Sequence, residues 1–121
     1  MSNYSSGHRA EQVAAEYLQK HSYDVVELNW RHARAEIDII ARKKLGWRRY
    51  GPLIFFEVKH RKTDNQGRGL DYITPKKLEQ MRFAAELYVT LNYHKNEYAL
   101  GAIELAGESY TITRVLENLA L

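Results

Sequence analysis

Residues 36–42, EIDIIAR, and residues 53–60, LIFFEVKH, decide the fold. Both runs are rich in β-branched and aromatic side chains and are of strand length. The ten residues between them hold Gly46, Gly51 and Pro52. Glycine and proline there break regular structure, so the pair predicts a hairpin of two strands joined by a basic loop over residues 43–52. Each strand carries ionisable residues in an otherwise apolar setting: Glu36 and Asp38 on the first, Glu57 and Lys59 on the second.

Outward from this hairpin the periodicity changes. Ala10, Val13, Ala14, Tyr17, Leu18 and His21 recur at helical spacing, predicting an amphipathic helix from about Ser6 to His21. Tyr23 to Trp30 then reads as a strand. Downstream, Thr74 followed by Pro75 places a hydroxyl at an N-cap and proline in the first turn. The helix it opens has a broad apolar face, with Leu78, Met81, Ala84, Ala85, Leu87, Tyr88 and Leu91, and runs to about Asn92. Tyr98 to Leu105 and Ser109 to Val115 read as two further strands, joined at Ala106-Gly107-Glu108. The order α-β-β-β-α-β-β predicts an α/β domain spanning residues 1–121, its mixed sheet of about five strands flanked by helices.

Composition narrows the chemistry. The chain has 121 residues, 45% of them hydrophobic, and no cysteine. A chain of this size buries roughly two-thirds of its unfolded surface, enough for a core without covalent staples. The missing cysteines exclude disulfides, thiol nucleophiles and Cys-containing zinc sites. No window approaches eighteen consecutive apolar residues and the first twenty lack a leader-like apolar stretch, so the expectation is a cytoplasmic protein without a membrane partner.

The net charge of +3 conceals an asymmetry: Arg31 to Lys77 holds thirteen Lys+Arg against five Asp+Glu, a surplus of +8, and the remainder carries −5. A basic middle suits a polyanion. A basic membrane-binding segment would ordinarily be an amphipathic helix, and these charges fall on strands and loops.

Residues two apart on a strand share a face, so Glu36 projects with Asp38 and Glu57 with Lys59. A register pairing Asp38 with Glu57 sets Glu36 opposite Lys59. Opposed carboxylates repel unless something positive lies between them, and a divalent cation is the simplest candidate. Oxygen donors without thiolates favour Mg2+ or Mn2+, and the five histidines show no i, i+4 pair. Such a cation polarises a phosphoryl oxygen and acidifies a bound water, while a nearby ammonium such as Lys59 positions that water. Phosphodiester cleavage is the chemistry this set suits.

AEIDIIAR, LIFFEVKHR and the helix-opening ITPKK together resemble the YraN-like family of small uncharacterised bacterial proteins, itself similar to archaeal Holliday-junction resolvases of the PD-(D/E)xK nuclease superfamily. The likeness covers about residues 7 to 105. Matching positions are Glu11, Glu36, Asp38, Glu57, Lys59, Arg61 and Lys77, with Asn29 and Arg31 fitting an N-x-R before the acidic strand. The resemblance implies a restriction-endonuclease-like core in which Asp38 and Glu57 bind the cation, Lys59 assists the attacking water and Glu11 adds a carboxylate, with Glu36 as accessory. Departures are Ala10 and Ala35 in place of glycines, and Ala99-Leu100-Gly101 where the family has R-F-D.

The residues then expected to contact DNA, branched or single-stranded, are Arg31, Arg61, Lys62, Arg68, Lys76 and Lys77. Symmetric cutting would favour a homodimer. Trp47 and Tyr50, in the basic loop, are candidates for stacking on unpaired bases. Two rival functions share this fold: a nucleic-acid-binding module that does not cut, and a structural partner of another DNA-processing protein. The apolar tail from Val115 to Leu121 either caps the core or meets another subunit.

Overall fold

The apolar runs become the middle of a five-stranded sheet whose strands lie side by side in chain order. The computed structural model describes residues 2–62, 70–92, 94 and 97–119, and side chains from His8 onward. Strands β1 (Tyr23–His32), β2 (Ala35–Gly46) and β3 (Arg49–Arg61) form an antiparallel meander. The helix α2 (Pro75–Leu91) carries the chain across so that β4 (Tyr98–Ala106) lies parallel to β3, and β5 (Thr111–Leu116) returns antiparallel. The first helix, α1 (Ser2–Lys20), begins earlier than its apolar periodicity alone indicates. The expected order α-β-β-β-α-β-β is the observed one.

Each helix covers one face of the sheet. Ala10, Ala14, Ala15 and Leu18 of α1 pack on Ile39, Ile54, Phe56, Ile103 and Leu105. Met81, Ala84, Ala85 and Tyr88 of α2 pack on Ile40, Leu53, Phe55 and Ala102. Leu53 to Phe56 are all buried because successive side chains of this central strand meet opposite helices. An unbroken apolar run is the sequence signature of a strand covered on both faces. The predicted cap is present: Thr74 Oγ1 accepts from Lys77 N at 3.1 Å, with proline opening the helix.

Three features depart from the expectation. First, β2 and β3 continue through most of the supposed loop, to Gly46↔Arg49, leaving a two-residue turn of Trp47 and Arg48. Register shifts between Arg42 and Lys44 and between Lys44 and Gly46 absorb the irregular residues. Pairing of β3 with β4 begins only at Leu53, so Pro52 lies where β3 has a free edge and the missing N–H costs no ladder bond there.

Second, the buried side chains of β2 change sides. Ala35 and Ile37 pack toward α2, whereas Ile39 and Ala41 pack toward α1, so the strict alternation breaks at Asp38. Asn29, which lies across from Asp38 where the β1–β2 pairing has a gap, adopts φ 53. This left-handed conformation is one that asparagine tolerates better than most residues.

Third, the packing around Gly101 leaves no room for a side chain. A Cβ there would lie 2.6 Å from the Leu116 carbonyl oxygen and 2.9 Å from both Ile54 Cγ2 and Phe56 Cδ1. Only glycine lets β5 and the β3 side chains close on β4 at this point. Ala10 and Ala35, the other two departures noted from the sequence, are buried. The described part of the tail, as far as Leu119, caps the core: Leu119 is buried against the α2 side, and its N–H donates to the Leu100 carbonyl at 2.7 Å, while Ala120 and Leu121 lie outside the described residues.

Candidate active site

The β2–β3 ladder runs from Arg42↔Leu53 to Ile39↔Phe56 in the predicted register and stops one residue short of Asp38 and Glu57. The cause is Asp38 itself: its Oδ2 accepts the Val58 N–H at 2.8 Å. A side chain thus takes a donor from the partner strand just past the point where main-chain pairing ends. The expected juxtaposition of Glu36 with Lys59 does not form. Lys59 instead lies in register with Glu104 of β4, and Glu36 is solvent-exposed and paired with Arg31 at 3.5 Å.

Glu11 arrives from α1 on the same point. Protonated, it donates a hydrogen bond to Asp38; burial, the Asp38 charge and this bond together raise its pKa from 4.5 to about 7. Burial also raises the Asp38 pKa, against the lowering effect of the Val58 N–H, and Glu36 adds to the rise. Glu57 is raised by burial and by Asp38, while Lys77 opposes the shift. Three carboxylates therefore converge where one negative charge makes the next harder to hold. Lys77, placed by the first turn of α2, puts its Nζ 3.2 Å from Glu57 Oε2 and supplies the nearest compensating charge.

An oxygen-only donor set in mutual repulsion fits a hard cation such as Mg2+ or Mn2+ better than zinc. Among the described residues no three carboxylate or imidazole side chains are already gathered into a cation cage. Glu11 is turned to Asp38 and Glu57 to Lys77. Beside them opens a cleft of about 480 Å³ whose lining includes Arg34, Glu36, Lys76, Lys77, Met81 and Phe83.

Arg61 has a different setting from the one expected of a DNA contact. Its side chain is only 12% exposed; Nη2 donates to Asp71 Oδ1 at 2.9 Å and lies 4.0 Å from Glu104 Oε2. Arg114 reaches the other oxygen of Glu104 at 3.6 Å. Tyr72 packs between this cluster and the site, with the Arg61 guanidinium 5.4 Å and the Lys59 ammonium 5.8 Å from its ring centroid. Lys62 and Lys76 are exposed, while Arg68 lies outside the described residues.

Asp71, Tyr72 and Glu104 were not picked out from the sequence. Glu104 had a signal: it is the lone charge in YALGAIELA and one of the few acidic residues inside an apolar strand. Asp71 and Tyr72, in the segment before α2, had none.

Comparison with known proteins agrees with the motifs. The family described as "Uncharacterised protein family UPF0102" matches residues 10–112. A UPF0102 protein of Christiangramia forsetii is 40% identical over 83 residues, covering 69% of this chain and 65% of that protein. One of Chlorobium phaeobacteroides is 39% identical over 83 residues, covering 69% and 61%. One of Flavobacterium johnsoniae is 31% identical over 119 residues, covering 92% of this chain and 90% of the relative. The match thus spans less than two thirds of the length of the first two relatives and most of the third. The stretch from Ala10 in α1 to Ile112 in β5, carrying all three converging carboxylates, places the chain in the uncharacterised family UPF0102, the YraN-like family that its motifs resemble.

Proposed function

We propose that this protein is a divalent-cation-dependent endonuclease acting on DNA. The observation that carries the reading is the convergence of Glu11, Asp38 and Glu57, from α1, β2 and β3, where the β2–β3 ladder ends, with Lys59 two residues beyond Glu57 on the same strand. Asp38 and Glu57 would hold the cation and Glu11 would complete its carboxylate set; bound there, Mg2+ or Mn2+ supplies phosphoryl polarisation and an acidified water. The protein's own part is positional. Val58 N–H fixes the Asp38 carboxylate, the Tyr72 ring lies beside the Lys59 ammonium, and that ammonium orients the attacking water or stabilises developing charge. Arg34, Lys76 and Lys77 line the cleft alongside, where phosphates of the strand would lie, and Arg31 and Lys62 extend the positive surface. Arg61 is assigned to holding Glu104 and Asp71 rather than to DNA.

One observation favours a second reading, a nucleic-acid-binding module that does not cut: Lys77 already neutralises Glu57 without a cation. The two readings separate on cleavage of linear, flap, single-stranded and four-way-junction DNAs by wild type and Glu57→Ala, with Mn2+ or with a chelator. The endonuclease reading expects cation-dependent cutting of at least one substrate by wild type and none by Glu57→Ala. Binding that survives the chelator, with no cutting of any substrate by wild type, would overturn it in favour of the binding module.

A further inference from the structure

The turn between β2 and β3 has chemistry the carboxylate site does not use. Leu45, Trp47 and Tyr50 are exposed, and Trp47 is the most exposed large apolar residue described, at 82%. Around them stand Arg42, Lys43, Lys44, Arg48 and Arg49. Arg42 is paired with Asp24 at 2.9 Å and Lys43 with Glu117 at 3.8 Å. Among the described residues Lys44, Arg48 and Arg49 have no carboxylate partner, so the tip keeps a positive excess.

The aromatic rings there are braced by cations. The Arg42 guanidinium lies 3.7 Å from the Tyr50 ring centroid, and that of Arg48 lies 4.5 Å from the centroid of Trp47. A guanidinium over one face leaves the other face for a flat apolar group and sets positive charge next to it. The backbone also departs from what a stable turn selects. Arg48 sits at φ 57, in the left-handed region where glycine or asparagine is favoured. A position that glycine would serve at lower conformational cost carries a charge instead, and such outliers concentrate at functional sites.

We infer that this hairpin tip is a second nucleic-acid site, one that binds single-stranded segments by stacking bases on Trp47 and Tyr50 while Arg48, Arg49 and Lys44 hold the flanking phosphates. Stacking on exposed rings within a basic surface is the recognition mode of sequence-tolerant single-strand binders. A folded duplex offers no base faces to such rings, so the preference is for unpaired nucleotides. The tip lies about eight residues along β2 from Asp38, or about 25 Å at strand rise, on the opposite end of the same strand pair. That separation equals about seven base-pair steps of duplex. The inference rests on the nucleic-acid reading of the protein and adds a substrate class to it: DNA with an unpaired arm, held at the tip while a junction or duplex portion lies at the carboxylates.

The test is fluorescence anisotropy of labelled oligothymidylate with wild type, Trp47→Ala, Trp47→Phe and Arg48→Ala, alongside cleavage by the same proteins of a flap substrate. Trp47→Ala is expected to weaken oligothymidylate binding at least about five-fold, and Trp47→Phe to recover most of it. Arg48→Ala is expected to weaken binding and flatten its salt dependence. Unchanged affinity in Trp47→Ala and Arg48→Ala, with cleavage intact, overturns the inference and leaves the endonuclease reading standing. A Trp47-dependent interaction with anionic phospholipid vesicles in place of oligothymidylate also overturns it, since the tip would then be a membrane-surface contact. Failure of the endonuclease reading has a different signature: no cutting by wild type while oligothymidylate binding persists and still falls in Trp47→Ala.

Discussion

The two ends of the β2–β3 pair are built from opposite materials. At one end carboxylates are half-buried and tied: Asp38 to Val58 N–H, Glu11 to Asp38, Glu57 to Lys77, and behind them Glu104 to Arg61 and Arg114. At the other end cations and aromatic rings stand in solvent on a two-residue turn. Between them lies a stretch of ladder from Ile39↔Phe56 to Arg42↔Leu53, sealed by a helix on each face. The contrast shows where fixed geometry is needed. The carboxylates are held by packing and hydrogen bonds, whereas the tip cations stand on an exposed turn, the arrangement that the proposed cutting and strand-binding roles would need.

The largest effect on stability is expected at the buried end. Glu104 is 5% exposed and faces two arginines, so Glu104→Ala leaves a buried hole in the cluster, removes a charge partner from Arg114 and leaves Arg61 to Asp71; it should cost about 3 kcal/mol, read by denaturant unfolding. Arg49→Ala, the matching deletion of a charge at the exposed end, should stay within about 0.5 kcal/mol. Equal costs at the two sites would erase the distinction between a tied end and a free one.

Gly101→Ala probes the layer that joins the ends. The added methyl must push against the Leu116 carbonyl and two β3 side chains, so a loss of about 1–3 kcal/mol is expected in thermal or denaturant unfolding. A neutral result would show that β5 shifts freely, and the sheet would then be a poor frame for either site.

The smallest expected effect is one of pH. The Glu11 pKa is raised to about 7, so the folded protein binds this proton more tightly than the unfolded chain does. The resulting stability is present in full below pH about 4.5 and is lost as the pH rises through about 7. Glu11→Gln keeps an uncharged donor beside Asp38 at every pH. Its melting temperature should therefore vary less with pH than that of wild type and exceed it above pH about 7. Parallel pH profiles for the two proteins would mean that Glu11 is not held against Asp38.

Much of this was legible in the sequence, for definite reasons. Four consecutive apolar residues at Leu53 to Phe56 announce a strand covered on both sides, and Thr74-Pro75 announces a helix start. Both follow from local chemistry that packing does not override. The register over Ile39↔Phe56 is the one obtained by supposing Asp38 opposite Glu57, although the ladder itself stops before that pair.

What escaped depended on distant atoms. The change of sides in β2 at Asp38 coincides with the left-handed backbone of Asn29, one strand away, and no alternation rule within β2 reveals it. Arg61 reads as a surface cation beside Lys62 until Glu104, more than forty positions on, is brought against it by the parallel pairing of β3 with β4. The turn at Trp47 and Arg48 escaped because glycine and proline signal a loop without saying that two register shifts can carry strands through it.

The most direct test of the central claim is a Mn2+ titration of wild type and Asp38→Asn, with cation binding and cleavage of the preferred DNA followed in the same samples. Asparagine keeps an oxygen to accept the Val58 N–H, so the variant should retain the fold while losing the carboxylate charge. If Asp38 anchors a cation that cuts DNA, binding and cleavage disappear together in Asp38→Asn and both saturate over the same Mn2+ range in wild type. Cleavage that persists undiminished in the variant would contradict the claim that these carboxylates form the catalytic centre.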